Sequence, residues 1–223
     1  MGSPGGLPYV LMVHGWTGLL DGRIAGDWQN LLAGELAHQG AGVDLPRFSD
    51  PDAPRLDVWL AELREHLDAA PTGVERVVMA HSLGALLWLH HAAGEFDPRL
   101  KVDRVLLASP PAPRWRDEEV ASFQPTPLDA AGVRRAASVT RMVVGDDDRY
   151  GTVADATNTA RRLDVELDVI PGGGHLDPKA GYGRWPSARD WVLDPTVRLG
   201  PRVPRPAPVS PAFTQHERGT RGV

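Results

Sequence analysis

The chain of 223 residues contains no cysteine. A disulfide scaffold, a thiol nucleophile and a cysteine-ligated metal are excluded, and the redox compartment is left open. Lysine is almost missing as well: of 24 cationic residues only Lys101 and Lys179 are lysine. Positive charge is in deficit overall, with a formal net charge of −5. That argues against a nucleic-acid partner held by phosphate neutralisation. No apolar run approaches the ~18 residues of a membrane span, and the first residues carry neither a basic nor an apolar leader segment. A soluble, cytoplasmic protein without a membrane partner is expected. Neither H-E-x-x-H, an EF-hand loop, G-x-G-x-x-G nor a Walker motif occurs, so no metal and no cofactor are expected.

Glycine (24) and proline (21), by contrast, are abundant, while 42% hydrophobic residues suffice for a globular core. Residues 1–198 read as one domain. Residues 199–223, with five prolines and four arginines, read as a mobile tail that buries too little apolar surface to order itself. Apolar strand-like runs occur at Tyr9–Val13, near Ala41–Leu45, and at Arg76–Ala80, Arg104–Ala108, Thr140–Val144 and Val165–Ile170. Helical periodicity lies between them. One stripe is Trp28, Leu31, Leu32 and Leu36; another is Leu56, Trp59, Leu60, Leu63 and Leu67. Leu83–Ala93 and Val153–Leu163 are two further helices, and residues 111–138 can hold a helix or two but no separate cap domain. This alternation predicts an α/β fold: a doubly wound, mostly parallel sheet of about six strands with helices on both faces.

Ligands of such sheets bind at the carboxyl ends of the strands. The third strand ends in Ala80-His81-Ser82-Leu83-Gly84 and runs straight into a helix, the context in which a sharp turn exposes a serine hydroxyl. Ser82 can alternatively be a plain helix cap. A serine nucleophile needs a base, and the base an orienting carboxylate. Strand Thr140–Val144 leads into Gly145-Asp146-Asp147-Asp148, where Asp148 is taken as the acid and Asp147 as second choice. The last strand leads into Pro171-Gly172-Gly173-Gly174-His175, which supplies the base. His81 is read as structural. The amides of Leu83 and Trp16 are the candidate oxyanion donors. His14 is read mainly as a brace for the Trp16 loop and also as a candidate pocket residue. Trp16, Trp115 and Trp185 are candidates to line an acyl pocket, and Trp28, on a helix stripe, is read as core.

These residues resemble an α/β-hydrolase, and more narrowly the small serine hydrolases of the retinoblastoma-binding-protein-9 / YdeN family. The resemblance rests on His14-Gly15-Trp16, Asp27-Trp28-Gln29, Ala80-His81-Ser82-Leu83-Gly84, Asp147-Asp148-Arg149-Tyr150, and Gly174-His175-Leu176-Asp177 with Gly181-Tyr182-Gly183-Arg184-Trp185-Pro186. It implies a lidless hydrolase fold over residues 8 to about 195, with Ser82, Asp148 and His175 as its triad. Arg149 stands where the family usually has proline. The expected activity is cleavage of an ester, thioester or activated amide of a small acyl substrate through an acyl-enzyme on Ser82. Transfer or cyclisation of the same acyl group, and a non-catalytic binding module, are the alternatives.

Overall fold

The computed structural model describes residues 6–17 and 27–202. Six strands form one open sheet: β1 (Tyr9–Val13), β2 (Gly42–Asp44), β3 (Arg76–His81), β4 (Val102–Ala108), β5 (Ala137–Gly145) and β6 (Glu166–Ile170). Their order is β2-β1-β3-β4-β5-β6 and every pair is parallel. All six lie where the apolar runs predict them. Parallel strands covered on both faces need apolar residues at successive positions, and β1 shows why. Val10 and Met12 enter one core, whereas Leu11 and Val13 enter the other.

The helices divide accordingly. Against one face pack α2 (Leu56–Ala69), α3 (Leu83–Ala93), α4 (Ala130–Ala136) and α5 (Val153–Leu163). Against the other pack α1 (Trp28–His38) and α6 (Pro186–Leu193). The central α3 is buried on nearly every side, which explains its almost unbroken apolar sequence. On α1, Trp28, Leu32 and Leu36 turn inward as the periodicity predicts, but Leu31 does not and is 36% exposed. Trp28 is core, as read.

Two features were not read from the sequence. Helix α6 begins at Pro186 and is tied to the sheet by Arg104, which is 2% exposed and donates to the Trp191 and Val192 carbonyls at 2.6 and 2.8 Å. In addition, the first four residues of the expected tail, Leu199 to Arg202, pack on the domain. Leu199 is buried, Gly200 accepts from Trp185 Nε1 at 2.7 Å, and Arg202 donates to the Ala180 carbonyl at 2.9 Å. The rest of the expected tail lies outside the described residues.

Helix α3 meets the end of β1 so closely that a Cβ on Gly84 would stand 2.5 Å from the Val13 and His14 carbonyl oxygens. Gly84→Ala is therefore expected to destabilise the fold by about 1–3 kcal/mol through overpacking. Gly34, inside α1 with nothing within 4 Å of such a Cβ, provides the contrast: Gly34→Ala should stabilise by about 0.5–1 kcal/mol. Urea unfolding of the two variants checks both signs.

Candidate active site

Loops leaving the carboxyl ends of β1, β3, β5 and β6 meet above the sheet. The strand ladder continues one residue into them, through Ser82 N–H to Ala108 O at 2.9 Å and Asp146 N–H to Ile170 O at 3.1 Å. Ser82 sits between β3 and α3 with φ 54° and ψ −120°. For a residue with a Cβ this backbone costs on the order of 1–3 kcal/mol and persists only where its surroundings enforce it. Its side chain makes no capping bond to α3, so the plain-cap reading does not hold. Instead Ser82 Oγ lies 2.8 Å from His175 Nε2.

On the other side of the ring, His175 Nδ1 lies 2.8 and 3.1 Å from the two Asp148 oxygens. A carboxylate can only accept, so Nδ1 carries the proton. Nε2 of the neutral ring is then an acceptor, and the Ser82 hydroxyl donates to it. The His175 and Asp148 side chains are each 5% exposed. Three residues that the sequence places on three separate strand ends thus form one hydrogen-bonded chain.

The aspartate run divides its work. Asp146 accepts from Gly172 N–H at 2.8 Å, Asp147 from Gly174 N–H at 2.6 Å, and Asp148 from His175. Three successive carboxylates therefore pin the loop that carries the histidine. Gly145 permits the approach, since a Cβ there would stand 2.2 Å from the Gly174 carbonyl oxygen. His81 Nε2–H donates to the His175 carbonyl at 2.9 Å, and burial pushes its pKa down to about 4, which keeps it neutral. The Tyr150 ring stands 4.4 Å from the His175 ring, and Trp115 packs edge-on against Tyr150 at 5.4 Å.

Leu83 is the first residue of α3, so its amide has no acceptor within the helix. Trp16 follows Gly15, whose missing Cβ would be 2.9 Å from Ser82 Cβ, and this brings the Trp16 loop against the serine. A cleft of about 450 Å³ opens over Ser82, and Trp16, Leu83, Pro111, Trp115 and Tyr150 are among its walls.

Two candidate pocket residues are not in it. His14 is completely buried; its Nδ1–H donates to Gly15 O at 2.7 Å and its Nε2 accepts from Phe48 N–H at 3.0 Å. It braces the Trp16 loop from beneath. Trp185 is 4% exposed and packs between Trp28 and Tyr182 in the opposite core. Tyr150 was missed as a wall; its place two residues after Asp148 was the available signal.

The sequence matches the serine hydrolase family over residues 10–193. The chain belongs to the serine hydrolase family. No curated protein matches this hydrolase in sequence. Among solved structures it is similar to the ydeN gene product of B. subtilis, with TM-score 0.69, 20% identity, and coverage of 83% of this chain and 97% of that one. A putative YdeN-like hydrolase of Pectobacterium atrosepticum gives 0.62, 19%, 84% and 90%. A monoacylglycerol lipase of Paleococcus ferrophilus gives 0.55, 15%, 84% and 96%. At these identities the likeness shows the α/β-hydrolase fold, as the sequence resemblance implies.

Asp27 and Asp177 are further carboxylates at the cleft of the hydrolase, and Asp27 is the more buried. Asp27 is 5% exposed, caps α1 by accepting from Gln29 N–H at 2.8 Å, and has its pKa pushed up to about 6 by burial. A raised carboxylate pKa means that the folded state holds the proton after the unfolded chain has lost it. Its stabilising contribution is therefore present in acid and is lost as pH rises from about 4 to 6. Asn caps as well as Asp but does not titrate. The stability of Asp27→Asn relative to the parent should therefore rise by about 2 kcal/mol between pH 4 and pH 7. Urea unfolding at the two pH values measures this; a pH-independent difference would contradict it.

Proposed function

We propose that this serine hydrolase cleaves an ester, thioester or activated amide through an acyl-enzyme on Ser82. The observation that carries the reading is the continuous chain from Ser82 Oγ through the His175 ring to Asp148, at the floor of a cleft. A hydroxyl alone is a poor nucleophile at neutral pH, and this arrangement gives its proton a destination. As Ser82 Oγ attacks the carbonyl carbon, Nε2 takes the proton. Asp148 holds the ring in the required tautomer and stabilises the imidazolium. The carbonyl oxygen becomes an oxyanion and receives the amides of Leu83 and Trp16. His175 then returns the proton to the leaving group. Water, deprotonated by the same ring, attacks the acyl carbon and frees Ser82. The cleft volume of about 450 Å³ suits a small substrate, and its aromatic walls suit an apolar acyl or aryl part.

A fluorophosphonate probe tests the nucleophile. The folded wild type is expected to be labelled at Ser82, and Ser82→Ala to remain unlabelled. Substitution of the two neighbouring aspartates separates their roles. Asp148→Asn leaves an amide that no longer enforces the tautomer, and should slow labelling and ester turnover by about 10³–10⁴-fold. At Asp147 the amide oxygen of asparagine can still accept from Gly174 N–H. Asp147→Asn should therefore keep turnover within a few-fold, and Asp147→Ala should lower kcat about tenfold with little change in KM. Equal losses for Asn at both positions would contradict this division.

A further inference from the structure

We propose that the substrate carries a carboxylate, and that Lys179 and Arg149 at the Ser82 cleft recognise it. The inference rests on the hydrolase reading of Ser82 and extends it to a substrate class.

Among the described residues, the charged side chains lining the cleft besides the Ser82–His175–Asp148 chain are Asp27, Asp177, Arg149 and Lys179. The two carboxylates are already engaged within the protein. Asp27 is held at the start of α1. Asp177 is 14% exposed at its side chain; one oxygen accepts from Ala180 N–H at 2.8 Å and the other from Arg149 at 3.2 Å. A carboxylate sequestered in this way offers a ligand little.

The cations are placed the opposite way. The Arg149 side chain is 52% exposed; it donates to Asp177 through one terminal nitrogen and also hydrogen-bonds the Tyr150 side chain, and its five-donor guanidinium still has N–H groups beyond these two contacts. Lys179 is exposed and makes no ion pair among the described residues. In a chain of net charge −5 with two lysines, the exposed charge that the described residues present at the cleft is positive. Asp177 balances Arg149 in part and Lys179 stands unbalanced, an arrangement that complements a monoanion better than a phosphate dianion.

The geometry connects this charge to the reacting group. The Arg149 guanidinium lies 4.8 Å from the centre of the Tyr150 ring, and that ring stands 4.4 Å from the His175 ring. A carboxylate held by Arg149 would thus sit across the Tyr150 ring from the His175 ring, and Lys179 lines the same cleft. The intervening part of the substrate would lie along Tyr150 and Trp115, so it should be apolar or flat.

Two matched ester pairs test the proposal. Mono-p-nitrophenyl succinate against p-nitrophenyl butyrate places the carboxylate on the acyl side. 4-Acetoxybenzoate against phenyl acetate places it on the leaving group. In at least one pair the wild type should favour the anionic ester by about five- to tenfold in kcat/KM at low salt. The preference should shrink in about 1 M salt, where the screening length falls to about 3 Å. Lys179→Glu is expected to abolish or reverse it, and Arg149→Gln to weaken it. Lys101→Gln, at the amino end of β4 and away from the site, should keep the wild-type ratio. Equal or better turnover of the neutral ester in both pairs would overturn the proposal, as would an anionic preference that survives Lys179→Glu. Fluorophosphonate labelling run on every variant separates the two levels. Loss of labelling in the folded wild type removes the hydrolase reading itself, whereas full labelling without anionic preference removes only the substrate class.

Discussion

Ser82 is held in a left-handed backbone conformation between a strand and a helix, and most of the site follows from that constraint. The conformation is costly for a residue with a Cβ, so the neighbouring structure must impose it. Three contacts do so. The Ser82 amide is fixed to β4, Gly15 lies against its Cβ, and Gly84 lets α3 close on the end of β1. The hydroxyl is thereby raised out of the helix axis and presented to His175 rather than used as a cap. The apolar α3 behind it and the parallel sheet beneath it are what make the strain affordable.

Holding the histidine is a separate problem, because it sits on a glycine-rich loop beyond the last strand. The loop is secured from two sides. Asp146, Asp147 and Asp148 grip it at Gly172, Gly174 and His175, and His81 donates to the His175 carbonyl from below. The glycines that would leave the loop free are also the ones that let the two strand-end segments approach so closely. Flexibility in the sequence has become rigidity in the fold through backbone amides meeting carboxylates. Tyr150 then covers the ring, and Arg149 extends from it to the cleft mouth.

The sheet and the meeting of Ser82, His175 and the aspartate run at its strand ends were legible because each leaves a strong local signal. Continuous apolar runs mark strands buried on two faces. A serine in a strand-to-helix turn, a histidine after Gly-Gly-Gly and an aspartate cluster at strand ends are uncommon enough to be read together. The walls of the cleft were legible only in part: Trp16 and Trp115 line it as read. Trp185 and Tyr150 are both aromatic residues in polar loops, and only packing decides that the former turns into the core and the latter onto His175. His14 illustrates the same limit, since its two nitrogens are satisfied by a loop carbonyl and by the amide of Phe48, 34 residues away in the chain. The choice between Asp147 and Asp148 likewise depended on which carboxylate met a backbone amide and which an imidazole. Nothing in the run Asp-Asp-Asp distinguishes them.

The central claim is that Ser82 takes the acyl group from the substrate, and trapping that intermediate tests it most directly. Wild type quenched in acid during turnover of a p-nitrophenyl ester should gain the mass of one acyl group on the peptide containing Ser82. A burst of nitrophenol matching the enzyme concentration should accompany it. Turnover that proceeds with no acylated Ser82 peptide under any quench, or that survives intact in Ser82→Ala, would contradict the account.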